Sequence, residues 1–393
     1  MKTYYIFSIL TLFLCTGCLK EEKIDTQIRI GIEFPEDFQH ISRSGIPVKL
    51  YNTASGRYYT SVTNEEGIAN LDVEYGFYDA IVQYQLTEEY NTYVFNGRYS
   101  DIVLAPGRED INDFYTVPLT YALKSNLIIR EIYFGGCMTD DGITYSNDNY
   151  LAIYNNSEQI AYLDSICLGF VAPITSASKS NFVKPDGTLM DLLPVAMMAW
   201  QIPGSGTDYP LQPGEEVVIA VNAVNHKARH TESVDLSHVK FAFYNVNLSM
   251  QEAPAPGVIS LNLIWKGPGE AYGLVPNGGP AMIMFKIPGN ATDYASDASH
   301  LMQDPVTHTG LYHLMIDKEW VVDGIECIQS KSAVYKRLTS NVDAGFVCQE
   351  KLYSGLSVQR KVEKTADNGQ IIYMDSNNSS EDVEVLPASL RNK

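Results

Sequence analysis

Two histidines stand at a spacing that could bind a metal ion. His226 and His230 form an H-x3-H pattern, and on a helix this spacing places both imidazoles on one face, where zinc can be held. The metalloprotease version of the pattern has Glu directly after the first His, but Lys227 stands there. Lys227 and Arg229 also bring positive charge beside the cation. A polar loop is the alternative interpretation of this segment.

An acidic segment offers a second set of metal ligands. Asp140, Asp141, Asp148 and Asn149 follow an apolar strand pattern, and hard oxygen ligands suit Ca²⁺. The spacing is not that of an EF-hand, so a solvated loop in an acidic chain is the alternative. We expect no resident cofactor unless calcium binds at these aspartates.

A further group of histidines and aspartates lies in a loop-rich region. Its residue types suit a metal or a small ligand, and a solvated loop with satisfied histidines is the alternative. The group consists of His300, His308, His313, Asp293, Asp297 and Asp304.

No sequence pattern for catalysis stands out. The nucleophile-elbow pattern G-x-S-x-G is absent, because the glycines at 204 and 206 directly flank Ser205. The glycine-rich segment 267–269 is not followed by the Lys-Ser/Thr of a phosphate loop. No spacing nominates a carboxylate pair for glycoside hydrolysis. We therefore expect a protein that is not an enzyme.

The N-terminus has the features of a membrane-anchored secreted protein. Residues 1–17 form a signal peptide, with Lys2 ahead of an apolar run at 5–15 that is too short to span a bilayer. Gly17 before Cys18 resembles a bacterial lipobox, which implies that the Cys18 thiol is acylated. Residues 18–24 would then form a lipidated tether. Within it, Lys20, Glu21 and Glu22 resemble the surface-export signal of lipoproteins in the Bacteroidota.

Four cysteines follow the signal region: Cys137, Cys167, Cys327 and Cys348. Their compartment is oxidising, so we expect one or two disulfides among them. Four cysteines allow three pairings, and the sequence does not choose between them. There is no C-x-x-C pair among them, which argues against a zinc site.

Composition limits both the fold and the partners. The 393 residues contain 28 Lys and Arg against 47 Asp and Glu, a net charge of −19, so the surface repels a phosphate backbone and nucleic-acid binding is not expected. The chain also has 26 Tyr, 28 Gly and 18 Pro. Many tyrosines and turn formers favour a mainly β chain.

Residues 25–122 read as a first β-sandwich. Segments 26–34, 45–51, 68–73 and 76–82 are strand candidates, several alternating apolar and polar residues around Gly- and Asn-containing turns. The region resembles the carboxypeptidase regulatory-like, prealbumin-type sandwich, which implies a spacer or accessory domain without catalysis. The resemblance rests on Val48, Leu50, Thr63, Asn64, Gly67, Ala69, Leu71, Gly76 and Tyr78.

Residues 125–393 read as a second, larger β region. Strands are predicted at 127–133, 149–155 and 162–169, and a Pro-Gly turn at 213–214 precedes another. These segments, with 357–361 and 375–382 as closing strands, resemble the lamin-tail fold, an immunoglobulin-like sandwich. The length implies large insertions, with short helices near residues 189–200.

Five further segments lie at 200–204, 235–238, 320–327, 336–338 and 342–345. In their order along nearly the whole chain, they resemble an uncharacterised family of lipoproteins, near 400 residues long, from gut Bacteroidota. The resemblance implies an architecture and a location but no activity.

The expected function is that of a surface-exposed outer-membrane lipoprotein with a binding or accessory role. Its expected partners are the membrane itself, through the lipid, and an outer-membrane TonB-dependent transporter or a glycan. A glycan- or metal-dependent enzyme and an adhesion or structural protein are the alternatives. This expectation rests on anchor and fold.

Overall fold

The computed structural model describes residues 25–88, 91–106, 114–248, 252–267, 278–308, 310–332 and 334–392. The signal peptide, Cys18, Lys20, Glu21 and Glu22 lie outside the described residues, so lipidation and export stay predictions. The fold is mainly β, which confirms the fold class predicted from the sequence. No helix in the described ranges is long and apolar enough to cross a membrane.

Eight strands build the first sandwich. A three-stranded sheet has the order β4-β1-β7, with β1 and β7 parallel, and a five-stranded sheet has the order β3-β2-β5-β6-β8. A short 3-10 turn at Glu36–Phe38 follows β1. The strands are β1 (Asp25–Glu33), β2 (Pro47–Asn52), β3 (Tyr58–Val62), β4 (Ile68–Glu74), β5 (Gly76–Glu88), β6 (Asn91–Leu104), β7 (Phe114–Pro118) and β8 (Thr120–Leu123).

Alternating side chains create the core of this sandwich. β4 buries Ala69, Leu71 and Val73 and turns the residues between them outward. β2 buries Val48 and Leu50 in the same core. Successive side chains of a strand point to opposite faces, so each sheet presents one apolar face to the other.

The second region contains the remaining strands and two short helices. The strands are β9 (Leu127–Tyr133), β10 (Cys137–Met138), β11 (Thr144–Tyr145), β12 (Tyr150–Asn155), β13 (Ala161–Tyr162), β14 (Cys167–Phe170), β15 (Leu192–Val195), β16 (Met198–Gln201), β17 (Pro210–Leu211), β18 (Glu216–Ala220), β19 (Phe241–Ala242), β20 (Ile259–Ser260), β21 (Asn262–Lys266), β22 (Ala281–Phe285), β23 (Leu301–Gln303), β24 (Tyr312–Asp317), β25 (Val321–Ile328), β26 (Val347–Cys348), β27 (Leu356–Arg360), β28 (Val362–Thr365), β29 (Ile371–Tyr373) and β30 (Val383–Pro387). The helices are α1 (Ala291–Ser296) and α2 (Ser379–Asp382), and 3-10 turns lie at Ala298–His300, Lys318–Trp320 and Ser389–Asn392.

Three sheets of the second region lie in layers. A seven-stranded sheet, β20-β19-β18-β12-β9-β27-β30, packs on a six-stranded sheet, β21-β16-β14-β22-β25-β26. Met282 and Met284 of β22 point into the core between them, where Trp200 is fully buried. Ile283 and Phe285 point the opposite way, into a second core shared with the sheet β15-β24-β23. The strand period of two therefore places the small sheet on the back of the six-stranded one.

Three sequence predictions are wrong. Residues 189–200 contain β15 and β16 instead of short helices, because these strands pair with β24 and with β14 and β21. The strand predicted at 162–169 breaks, because Ser165 has a φ of 64°, which no strand accommodates. Residues 375–382 form a loop and α2 instead of a closing strand.

The outer face of the first sandwich packs on the loop that precedes α2. The side-chain amide of Asn96 donates to the Ser376 carbonyl at 2.8 Å, and this bond is buried. The Gln85 amide donates to the Asp375 carbonyl at 3.3 Å. These bonds join β5 and β6 to the end of the chain, nearly 300 residues away in sequence.

Candidate functional site

The structure brings the two predicted metal-binding segments together. Asp140 accepts hydrogen bonds from the backbone N–H and the hydroxyl of Thr231, each at 2.8 Å. Tyr145 packs edge-on against His230 with ring centroids 4.6 Å apart, and its hydroxyl lies 2.6 Å from His226 Nδ1. The loop before β12 and the loop after β18 are thus neighbours in space.

His226 is fully buried, and both of its ring nitrogens have partners. Nε2 lies 2.8 Å from the Asn222 carbonyl; it therefore carries the hydrogen, and Nδ1 accepts from the Tyr145 hydroxyl. Burial lowers the pKa of His226. The segment forms turns instead of a helix. A zinc site on His226 and His230 is not supported, because His226 has no free lone pair.

Asp148 lies fully buried beneath the same loops. Its Oδ2 accepts hydrogen bonds from the Ser233 hydroxyl at 2.6 Å, the Tyr133 hydroxyl at 3.1 Å and the Cys137 thiol at 3.4 Å. Its Oδ1 has no partner among the described residues. Burial and the Asp148 charge raise the pKa of Cys137 to about 12. The Cys137 thiol therefore keeps its proton, and the hydrogen bonds of the cluster tie the loops together.

The three aspartates among the predicted calcium ligands do not converge on one point. Asp148 is buried, whereas Asp140 and Asp141 are exposed, and Asp140 is engaged with Thr231. Across the described ranges, no three His, Cys, Asp or Glu side chains are arranged to hold a metal ion. The calcium hypothesis is not supported by this geometry.

The four cysteines that follow the signal region are all free thiols in the structure. Burial raises the pKa of Cys167, in the core between the six- and three-stranded sheets, to about 12. Cys327 and Cys348 lie on the paired strands β25 and β26, so they are the two that the fold places on adjacent strands. Any disulfide stays a prediction.

A cleft of about 530 Å³ lies at the junction of the two sandwiches. The connection between β14 and β15 forms one wall, from Lys179 to Asp191. A second wall contains Lys318, directly after β24. A third wall is the loop at 334–341, between β25 and β26. Thr120 of the first sandwich completes the lining.

A tight turn shapes the first of these walls. The sequence Pro185-Asp186-Gly187 is typical of a turn, and Gly187 has a φ of 86°. The Asp186 carboxylate accepts from the Thr188 N–H at 2.9 Å, and the Lys184 N–H donates to the Thr188 carbonyl at 2.7 Å. The turn thereby holds Lys184 at the cleft.

The lining of the cleft is positively charged. Among the described residues it contains Lys179, Lys184, Lys318 and Lys336, and Asp191 is the one acidic residue there. Asp191 accepts from Lys184 at 2.7 Å and from Lys318 at 2.9 Å. Four positive charges and one negative charge leave a formal charge of +3 in a chain whose net charge is −19. This arrangement can bind carboxylate, sulfate or phosphate groups.

The four lysines of the cleft differ in how free their ammonium groups are to bind an anion. Lys336 donates to the backbone carbonyls of Asp343 and Gly345. Lys179 is exposed, and within the described residues its ammonium group has no hydrogen bond or ion pair. Lys179 is therefore the lysine with the most unused capacity to bind an anion.

A smaller pocket of about 290 Å³ adjoins the cleft and shares Lys179 with it. Asp304 and His313, from the second histidine group of the sequence, line this pocket. His300 instead stacks on Tyr294 with ring centroids 3.7 Å apart. The fold therefore separates the members of this histidine and aspartate group, and Asp304 and His313 are the members that line the pocket.

Sequence reasoning missed all four lysines of the cleft. They come from three separate segments, so no local spacing connects them. The Pro-Asp-Gly turn at 185–187 was a readable signal for a loop excursion. It could have located one wall of the cleft but not its charge.

Comparisons with known proteins agree with an uncharacterised family from the Bacteroidota. Residues 212–388 match a family model described as a protein of unknown function (DUF4876). A crystal structure of a DUF4876 family protein from Bacteroides thetaiotaomicron VPI-5482 is 24% identical, with 91% of this chain and 94% of that chain covered and a TM-score of 0.59. This likeness shows the fold.

A second solved structure is far more distant. It is that of a candidate adhesin from Bacteroides ovatus ATCC 8483, 8% identical, with 88% of this chain and 99% of that chain covered and a TM-score of 0.20. A likeness this low carries no argument about fold or function. No curated protein matches the chain.

Proposed function

We propose that this chain is a lipid-anchored binding protein of the cell envelope, without catalytic activity, and that it takes an acidic glycan in the lysine-lined cleft. The observation that carries the proposal is the charge of the cleft, with four lysines and one aspartate in its lining. The rest of the chain is strongly acidic. A local positive cleft on such a surface concentrates anionic ligands where they can be bound.

An aromatic side chain at the same cleft favours a sugar over a simple anion. Tyr335 lines the cleft and is 40% exposed. A tyrosine ring offers a flat apolar face and a hydroxyl, on which a sugar ring can stack. Lysine ammonium groups bind carboxylate or sulfate groups as compact charges with rotatable donors. An acidic sugar uses both features.

The acid in the cleft supports binding and not catalysis. Asp191 accepts from Lys184 and Lys318, and these hydrogen bonds lower its pKa. A general acid needs a pKa raised toward neutrality, and glycoside hydrolysis needs two carboxyl groups. In the part of the chain that the structure describes, Asp191 is the one carboxylate that lines the cleft.

The test compares an acidic with a neutral polysaccharide, using the full chain purified in a nonionic detergent. We expect polygalacturonate to bind and dextran not to bind, with the binding weakened by salt. Lys184→Met combined with Lys318→Met should reduce the affinity at least about tenfold, the loss of one or more charged hydrogen bonds. Isothermal titration calorimetry measures both.

The matched control is Lys351→Met combined with Lys364→Met, which removes the same charge from exposed positions outside the cleft. This control should bind polygalacturonate like the parent. Equal affinities of the two double variants, or no binding by the parent, would refute the site. Release of new reducing ends from polygalacturonate would refute the absence of catalysis.

The proposed location is the outer membrane, with the protein facing the exterior. It is supported by the lipobox at Cys18 and by Lys20, Glu21 and Glu22. In the native host, the parent should incorporate labelled palmitate and Cys18→Ser should not. Protease added to intact cells should degrade the parent, and complete protection would contradict outward exposure.

The proposed partner in the envelope is a TonB-dependent transporter, to which the protein would deliver its glycan. The support is the anchor and the fold, together with a cleft that can hold a nutrient. Mild crosslinking in intact cells followed by purification of the full chain should recover such a transporter. Recovery from Cys18→Ser cells at the same level would contradict a role for the anchor.

A further inference from the structure

The pocket beside the cleft is mainly apolar. Its walls include Pro173, Ile174, Met197, Leu311 and Tyr312. Leu311 and Tyr312 are 46% and 45% exposed, which is high for large apolar side chains on a concave surface. A ligand that covers them would bury apolar area and gain free energy by doing so.

Two charged side chains of this pocket differ in what they can still bind. The Asp304 carboxylate is already hydrogen-bonded within the protein, whereas the Lys179 ammonium group is open to a ligand. Asp304 accepts from the Asn181 amide at 2.9 and 3.1 Å and from the N–H groups of Val306 and Thr307 at 2.9 and 2.8 Å. These four bonds hold the carboxylate to the protein. Among the described lining residues, Lys179 is the charged group that remains open to a ligand.

His313 does not add a second cation. It packs edge-on against Phe182 with ring centroids 5.1 Å apart, and burial lowers its pKa. The imidazole is therefore neutral near neutral pH. The charge that the pocket offers to a ligand then comes from Lys179.

We propose that this pocket, which adjoins the glycan cleft and shares Lys179 with it, is a second binding site, for a small amphipathic anion. The apolar body of the ligand enters between Ile174, Met197 and Leu311, and its acid group meets the ammonium group of Lys179. Pockets of about 300 Å³ and above with apolar walls and a few placed polar groups are the usual form of small-molecule sites. The lysine stem covers apolar surface while its charged head stays at the edge, which suits a ligand of mixed character.

The proposal has a charged half, the contact with Lys179, and an apolar half, the contact with the apolar walls. Two probes of the same shape test these halves separately. Anilinonaphthalene sulfonate carries an acid group, and phenylnaphthylamine is its uncharged analogue. We would use the whole mature chain with Cys18→Ser, which removes the acylation site so that no detergent is needed. Both probes should show saturable fluorescence with one site per chain, and the sulfonate should bind more tightly.

Lys179→Met tests the charged half. It should weaken binding of the sulfonate at least about tenfold, the loss of one charge-assisted hydrogen bond, and leave the neutral probe within about twofold. Lys364→Met, an exposed lysine on β28 outside both pockets, is the matched control and should change neither affinity. Sulfonate binding that survives Lys179→Met would overturn the role of the lysine.

Leu311→Glu tests the apolar half without disturbing a buried side chain. It places a negative charge at the mouth of the pocket and should weaken both probes. Val362→Glu, on β28 and 55% exposed, is its control. Failure of the neutral probe to bind the parent, or equal binding to Leu311→Glu, would overturn the apolar site. Neither of these two results affects the glycan cleft, because Leu311 does not line it; the cleft is tested separately with Lys184 and Lys318.

Discussion

Arg360 is a buried cation that faces three buried carboxylates. Its guanidinium group lies 2.6 Å from Asp323, 3.1 Å from Asp375 and 3.6 Å from Asp382. It also donates to the Ile129 carbonyl at 3.1 Å. Asp323 belongs to the six-stranded sheet and Arg360 to the seven-stranded sheet. The ion pair therefore joins the two layers, but one cation does not neutralise three acids.

This imbalance predicts a dependence of stability on pH. Burial raises the pKa of Asp323 to about 7, whereas aspartate in an unfolded chain titrates near about 3.9. Between these values the folded state holds more protons than the unfolded state, so the Asp323 contribution is complete below pH 4 or so and is lost as pH rises toward about 7. Asp323→Asn should remove this slope from the free energy of unfolding.

Urea unfolding followed by tryptophan fluorescence at several pH values measures the effect. The control is Asp72→Asn, an exposed aspartate of β4 whose loss should leave the pH profile unchanged. Parallel profiles for the parent and Asp323→Asn would show that Asp323 stays ionised in the folded protein throughout this range.

At the scale of elements, Asp164 stabilises the chain at the break between β13 and β14, directly before Ser165. Its carboxylate accepts three backbone N–H groups, from Gly206 at 3.0 Å, Asp208 at 2.9 Å and Tyr209 at 2.9 Å. These hydrogen bonds lower its pKa against the opposing effect of burial. The carboxylate replaces strand pairing at this point and connects the chain ahead of β14 to the loop ahead of β17.

We expect Asp164→Ala to destabilise the protein by about 2–3 kcal/mol, because three backbone donors lose a charged acceptor. Urea unfolding near neutral pH measures the loss. Asp186→Ala is the control: that carboxylate is exposed and bonds only within its own turn, to Thr188, so its removal should have a much smaller effect. Similar losses from both variants would contradict a special role for Asp164.

The pattern of the elements was predictable where one face of a strand is buried. The strands at 68–73 and 127–133 appear nearly as the sequence predicts, as β4 and β9. The break at Asp164 was not predictable, because its hydrogen-bond donors lie more than 40 residues further along the chain. Nor was β15, whose strand character comes from pairing with β24. Local periodicity reports burial but not a distant partner.

At the scale of the whole molecule, the cleft lies where the two sandwiches meet. Thr120 of the first sandwich and Asn341 of the second both line it. The sequence predicted two β regions and an anchor, but it did not predict the face on which the regions meet. The charge of the cleft comes from three distant segments of the second region. A binding site assembled from distant segments leaves no local motif, which is why the sequence favoured the histidine and aspartate clusters instead.

The joint between the sandwiches should be sensitive to Asn96. Its amide makes a buried 2.8 Å hydrogen bond to the Ser376 carbonyl, and removing a donor from a buried carbonyl costs about 1–3 kcal/mol. The core of the first sandwich does not use this amide, so Asn96→Ala should weaken the joint more than either core. We expect calorimetry to show one transition for the parent and two for Asn96→Ala, and Asn96→Ala should bind polygalacturonate more weakly.

The control is Gln27→Ala, which removes an exposed amide bonded to Asp72 within the first sandwich. It should keep one transition. One unshifted transition for Asn96→Ala would mean that the two sandwiches are coupled by other contacts.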